Sequence, residues 1–259
     1  MDHFLQPALY EVDTSTILTG WREAKDMLSP RSRLILSETA TTGDGGCHYL
    51  SNSFAAGFFW VNNIGLVASL GFWQMFRQDL VGFSGVNEGS SYALAGDSGW
   101  VGAPSVSGVY HNRTVPLEPN PDFYTSILYK RLMGKRYLSV GLEGAAVGSG
   151  SKARLRAHAT CARGAPDDIA LAFINGDASD VEVALPLSLV AESRVEYRLS
   201  PGDAMGLTSR RMKLNGRLLS LGSDLGGESI VGKVTSLVFP AQSYGFFVLR
   251  GVAPSVCAQ

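Results

Sequence analysis

The stretch Arg33–Gly46, RLILSETATTGDGG, governs the fold reading. A short apolar run, Leu34-Ile35-Leu36, ends in the carboxylate Glu38 and then a Gly-rich loop. Upstream, Ile17, Leu18, Trp21, Ala24 and Leu28 recur at three- and four-residue intervals, predicting a helix over 14–28 that Ser29-Pro30 ends. An apolar run after a helix suits a buried parallel strand. Downstream the pattern predicts a helix over 51–64, a turn at Gly65 and a second buried strand over 71–78. This is the alternation of βα units in a barrel or open parallel sheet. In such folds reactive residues sit at the C-terminal ends of strands, which is where Glu38 stands. Position alone divides Glu38 evenly between a reacting acid and a structural one.

Arg77-Gln78 ends the second strand and would lie beside Glu38 at the same face. An Arg can keep a carboxylate ionised, and a Gln can hydrogen-bond a polar substrate. Residues 79–120 form a long Gly- and Ser-rich segment, of the kind that is usually functional or disordered. Glu118-Pro119-Asn120 within it reads as the lead-in to a helix over 121–134, with Pro121 early and Gly134 at its end. From Tyr137 the period changes to two. YLSVGLE, ARLRAHAT, IALAFING, VEVALP, RVEYRL and SYGFFVLR are short runs separated by turn residues. That pattern predicts an all-β module, most simply a sandwich, with a boundary near residue 135.

With 22 basic and 23 acidic residues the chain has no basic surplus, so no nucleic-acid partner is expected. Four scattered His and three Cys give no metal-ligand spacing; no metal and no cofactor are implied. Phe54–Trp73 is long enough to span a bilayer, but Asn62 and Asn63 at its centre argue for a helix of a folded domain. No signal pattern follows Met1. Asn112-Arg113-Thr114 fits a glycan acceptor site, relevant only on the secretory route.

Several segments together resemble one family. HFLQP (3–7), LILSETATTGDGG (34–46), LSNSFAAGFFWVNNIGLVASLG (50–71), FRQDLVG (76–82), NPDFYTSILYKRLMGKRYL (120–138) and PAQSYGFFVLR (240–250) are similar, in order, to the C-terminal half of the heparanases. These are the β-glucuronidase family 79 of glycoside hydrolases. The resemblance implies α/β plus all-β architecture. Residues 1–135 would be the last βα units of an incomplete (β/α)8 TIM barrel, and residues 136–259 a C-terminal β-sandwich. It makes Glu38 the nucleophile of a retaining hydrolase and places Arg77, Gln78 and Tyr92 on or near substrate. It pairs Cys161 with Cys257 and leaves Cys47 a thiol. Ser37 departs from the family's Gly at that position, and Ser90-Ser91 alters the context of Tyr92.

The implied substrate is a glucuronide or an acidic polysaccharide. The implied location is extracellular, lysosomal, vacuolar or membrane-associated. The acid/base of such a site is expected on an earlier strand. The implied partner is therefore the remaining N-terminal half, in the same or a separate chain. The alternative is a non-catalytic carbohydrate-binding or interaction module derived from the same family.

Overall fold

The computed structural model describes residues 1–43, 46–47, 49–78, 80, 93–97, 117–143, 154–253 and 255–257. The N-terminal part opens with a short helix α1 (Asp2–Leu5) and the longer α2 (Ala8–Leu28). Strand β1 (Ile35–Thr39), helix α3 (Ala56–Ser69) and strand β2 (Gln74–Arg77) follow, with β1 and β2 parallel. A small antiparallel pair, β3 (Ala95–Asp97) and β4 (Leu117–Pro119), precedes α4 (Pro121–Leu132).

The remainder is antiparallel. Its strands are β5 (Met133–Leu138), β6 (Leu155–Ala162), β7 (Ala165–Asn175), β8 (Val181–Ala184), β9 (Ala191–Pro201), β10 (Met212–Leu214), β11 (Arg217–Leu218), β12 (Glu228–Val234), β13 (Ser236–Phe239) and β14 (Ser243–Arg250). The main sheet runs β11-β10-β9-β14-β7-β6-β5, with β12 also on β9, while β8 and β13 form a separate two-stranded sheet.

Strand β14 explains the layering. Successive strand side chains point to opposite faces. Tyr244, Phe246 and Val248 join one core cluster, with Phe54, Phe58 and Val61 of the α3 region and Tyr124 and Leu128 of α4. Phe247 and Leu249 join the other, with Val181 of β8 and Leu237 and Phe239 of β13. The sheet is thus covered by helices on one face and by the β8–β13 pair on the other. The boundary expected near 135 falls inside β5, and the first core crosses it. Phe54 stacks on Tyr244 at 4.3 Å between ring centroids. The loop before β10 reaches back as well: Ser209 and Leu207 carbonyls accept from the Phe54 and Ala55 amides at the start of α3.

Four expectations change. Strands β1 and β2, expected to be buried, have no fully buried residue: Ile35 and Phe76 are exposed and Leu36 and Met75 half-buried, because a two-stranded sheet leaves much of its surface uncovered. Helix α2 starts at Ala8 rather than at 14, and of its five-residue apolar stripe Leu18 is buried while Ile17, Trp21 and Leu28 are exposed. Gly65 makes no turn; it lies within α3, at a position where only glycine fits, since a Cβ there would sit 2.1 Å from Cγ of His158. The turn comes at Gly71, whose φ of +80° favours glycine. Gly134 lies in β5 instead of capping α4, whose last residue is Leu132.

The two central amides of α3 have definite work. Asn62 is fully buried and donates from Nδ2 to Glu11 Oε1 at 2.7 Å. Its Oδ1 accepts from His158 Nε2 at 2.8 Å. That fixes a neutral His158 as the Nε2–H tautomer, with Nδ1 accepting from the Tyr137 hydroxyl at 3.3 Å. Arg156 of β6 grips both Glu11 oxygens. Burial holds the His158 imidazole down at about 4. A polar seam therefore joins α2, α3 and the sheet. Asn63 donates to Thr39 Oγ1 at 3.5 Å, at the end of β1. Among the described residues no helix is long and apolar enough to cross a membrane.

Candidate active site

The β1–β2 register pairs Ile35 with Gln74, Leu36 with Met75 and Thr39 with Arg77. Two residues of β1, Ser37 and Glu38, therefore stand against Phe76 alone. Such a bulge kinks a strand and re-aims its side chains. Its trace is the exposure pattern: Ser37 and Glu38 are both exposed, whereas regular pleating would turn one of them to the half-buried face that Leu36 occupies. The Gln78 amide donates to the Thr39 carbonyl at 2.9 Å, closing the ladder just beyond the bulge. Glu38 and Gln78 thus stand at the C-terminal ends of neighbouring parallel strands, the arrangement the sequence predicts. Gln78 is half-buried.

Arg77 turns inward. Its side chain is 5% exposed, and Nη2 meets Asp122 Oδ2 at 2.8 Å, with Asp122 itself 2% exposed. The same nitrogen lies 3.4 Å from Thr41 Oγ1, three residues beyond Glu38. The guanidinium carbon sits 4.2 Å from the centre of the Trp60 ring, a cation–π distance. Asp122 is in the first turn of α4, behind the N-cap Asn120 and Pro121. Burial pushes the Asp122 carboxyl up to about 6, against the lowering pull of Arg77. Sequence reasoning missed Asp122. Its sequence signal is an acid in a helix's first turn, which reads as a dipole contact and gives no hint of a partner 45 residues earlier.

Tyr92 and Asn112 lie outside the described residues. Glu118 is in β4 opposite Gly96, in the strand that leads into α4. Cys161 and Cys257 form a disulfide with Cα atoms 5.6 Å apart, tying β6 to the chain beyond β14. Cys47 keeps its thiol at the surface. Among the described residues no group of three acidic, His or Cys side chains is placed to hold a metal ion. An exposed carboxylate beside an amide side chain, at one end of a parallel sheet, can attack an electrophilic carbon and hold a polar ligand.

No family model matches the chain. It is 28% identical to heparanase of Bos taurus, over 99% of the chain and 43% of that protein. It is 28% identical to inactive heparanase-2 of Homo sapiens, over 88% of the chain and 37% of that protein. It is 27% identical to baicalin-β-D-glucuronidase of Scutellaria baicalensis, over 85% of the chain and 36% of that protein. The chain therefore spans about two fifths of the length of these relatives. Among solved structures, a conserved exported protein from Bacteroides fragilis aligns with TM-score 0.55 at 11% identity, over 95% of the chain and 44% of its own. A β-porphyranase of glycoside hydrolase family 86 from Bacteroides plebeius aligns with TM-score 0.52 at 11% identity, over 92% of the chain and 38% of its own.

Proposed function

We propose, starting from a chain that is heparanase-like in sequence, that Glu38 is the nucleophile of a retaining glycosidase site acting on glucuronide linkages. The observation that carries the reading is the placement of Glu38: exposed, in a bulge, at the C-terminal tip of a parallel strand. In retaining hydrolysis a carboxylate attacks the anomeric carbon to form a glycosyl-enzyme. A second acid, about 5–5.5 Å away, protonates the leaving oxygen and then activates water. Glu38 takes the first role. The second belongs to an earlier strand. Gln78, at the tip of the adjoining strand, is suited to hydrogen-bond a sugar hydroxyl. Tyr92 is assigned to the same substrate face on sequence grounds. Arg77 serves the site from behind, since its guanidinium is buried against Asp122 and Trp60.

The β1–β2 pair is read as the last part of a (β/α)8 barrel in residues 1–135, with residues 136–259 as the sandwich that braces it. Two strands cannot close a barrel. The exposed Ile35, Trp73 and Phe76, with Ile17, Trp21 and Leu28 of α2, support a further segment packing there. That segment is the remaining barrel strands, in the same or a separate chain, and it brings the acid/base. The Cys161–Cys257 bond suits an extracellular or lysosomal setting.

The test is an aryl β-glucuronide assay on the chain assembled with those strands. Glu38→Gln is expected to abolish turnover; wild-type-like rates in that variant would remove Glu38 as nucleophile. A second reading, a non-catalytic carbohydrate-binding module, is favoured by the equal identity to the relative named as inactive. Saturable glucuronide binding without turnover in the assembled wild type would select it.

A further inference from the structure

We propose that Asp122 is a positioning residue for the candidate site: through Arg77 it pins the tips of β1 and β2 together and so sets where Glu38 and Gln78 stand. The functional meaning rests on the reading of Glu38 above; the pinning itself is a statement about geometry.

Two strands alone are marginal in water, and this pair is further weakened by the bulge at Ser37 and Glu38. The register resumes at Thr39 opposite Arg77, followed by the Gln78 amide bond to Thr39. Something must hold that short closure. Arg77 lies at the closing pair and reaches both Asp122 and Thr41. Asp122 is itself fixed by its helix. The Ser126 hydroxyl donates to the Asp122 carbonyl at 2.7 Å and accepts from the Trp60 indole at 2.8 Å. Trp60 in turn supplies the ring that faces the guanidinium. One charged group therefore links β2, the loop after β1, α3 and α4.

A buried ion pair is a poor way to gain stability, because desolvation offsets the attraction; apolar replacements of similar volume are often as stable or more so. What apolar side chains lack is direction. A guanidinium fixes its partners along set lines. The pair is thus better explained by placement of the strand tips than by the stability of the whole chain.

The experiment is amide hydrogen exchange on the 259-residue chain, comparing wild type with Asp122→Asn and with the apolar double variant Arg77→Met/Asp122→Leu. The double variant guards against misfolding of the single one. Exchange at the Gln78 amide is expected to accelerate roughly tenfold or more in both, while amides of β7 and β14 change far less. A uniform acceleration across all strands, or a Gln78 amide as protected as in wild type in a folded variant, would overturn the proposal. The readout needs no turnover, so it is independent of whether Glu38 reacts.

Discussion

His158 offers the sharpest quantitative test of how the helices are joined to the sheet. It is 8% exposed, bonded on both ring nitrogens, and its folded pKa of about 4 lies below the usual 6.5 because burial disfavours the imidazolium. The groups facing it are Glu11, which raises the value, and Arg156, which lowers it, with Tyr137 and Asn62 as neutral partners. Between pH 6.5 and 4 the unfolded chain binds the proton and the folded chain does not, so stability is full above 6.5 and falls as pH drops through this window. At pH 4.5 the loss relative to pH 7.5 is on the order of 2–3 kcal/mol.

Asp122 works in the opposite direction. Its pKa is raised from 3.8 to about 6, so its contribution to stability is greatest below 3.8 and is lost as pH rises through 6. The two effects overlap, and the raw pH profile of the wild type does not separate them. A difference does. In His158→Gln the Asp122 contribution is unchanged and cancels against wild type. Urea denaturation of both proteins at pH 7.5 and 4.5 is therefore the assay. The variant is expected to be the less stable at pH 7.5, with the gap narrowing by roughly 2–3 kcal/mol at pH 4.5. A gap that stays constant across that range would refute the assignment of His158 as a neutral, buried link.

Two other perturbations bear on the fold. Gly65→Ala drives a methyl into the His158 ring and is expected to cost about 3 kcal/mol, whereas Gly20→Ala in α2, with nothing within 4 Å, should gain roughly 0.5–1 kcal/mol; thermal unfolding of the pair checks both. Opening the Cys161–Cys257 bond frees a loop of 96 residues and should cost about 4 kcal/mol, read as a fall in melting temperature on reduction; an unchanged melting temperature would place its role outside folding.

The placement of the two strand tips was legible because its logic is local. An apolar run ending in Glu38, and another ending in Arg77-Gln78, predict two parallel strand tips side by side, and the structure has them there. The bulge at Ser37 and Glu38 was not legible, since it arises from how the two strands meet. Gly65 was misread for a related reason. Glycine marks a turn when the backbone needs a positive φ, but it also appears where another residue approaches, and His158 is 93 positions away in sequence. Asn62 and Asn63 argue for a helix of a folded domain, and α3 packs on the main sheet, yet their partners, Glu11, His158 and Thr39, are set by tertiary packing. The same holds for Asp122. Period-two patterning predicted β6, β7, β8, β9 and β14, met β5 only at Tyr137 and Leu138, and passed over the short or exposed β10 to β13; nor could it say that β14 is buried on both faces or that α3 and α4 share a core with the main sheet.

Glu38 is proposed to attack the anomeric carbon of a bound glucuronide. A direct measurement is intact-mass and peptide mass spectrometry of the assembled protein after incubation with an aryl β-glucuronide carrying a dinitrophenolate leaving group. That leaving group needs little protonation, so the glycosyl-enzyme can accumulate. One added sugar per chain is expected, mapped to the peptide containing Glu38 and lost in Glu38→Gln. An adduct mapped to another carboxylate, or one that persists in Glu38→Gln, would contradict it.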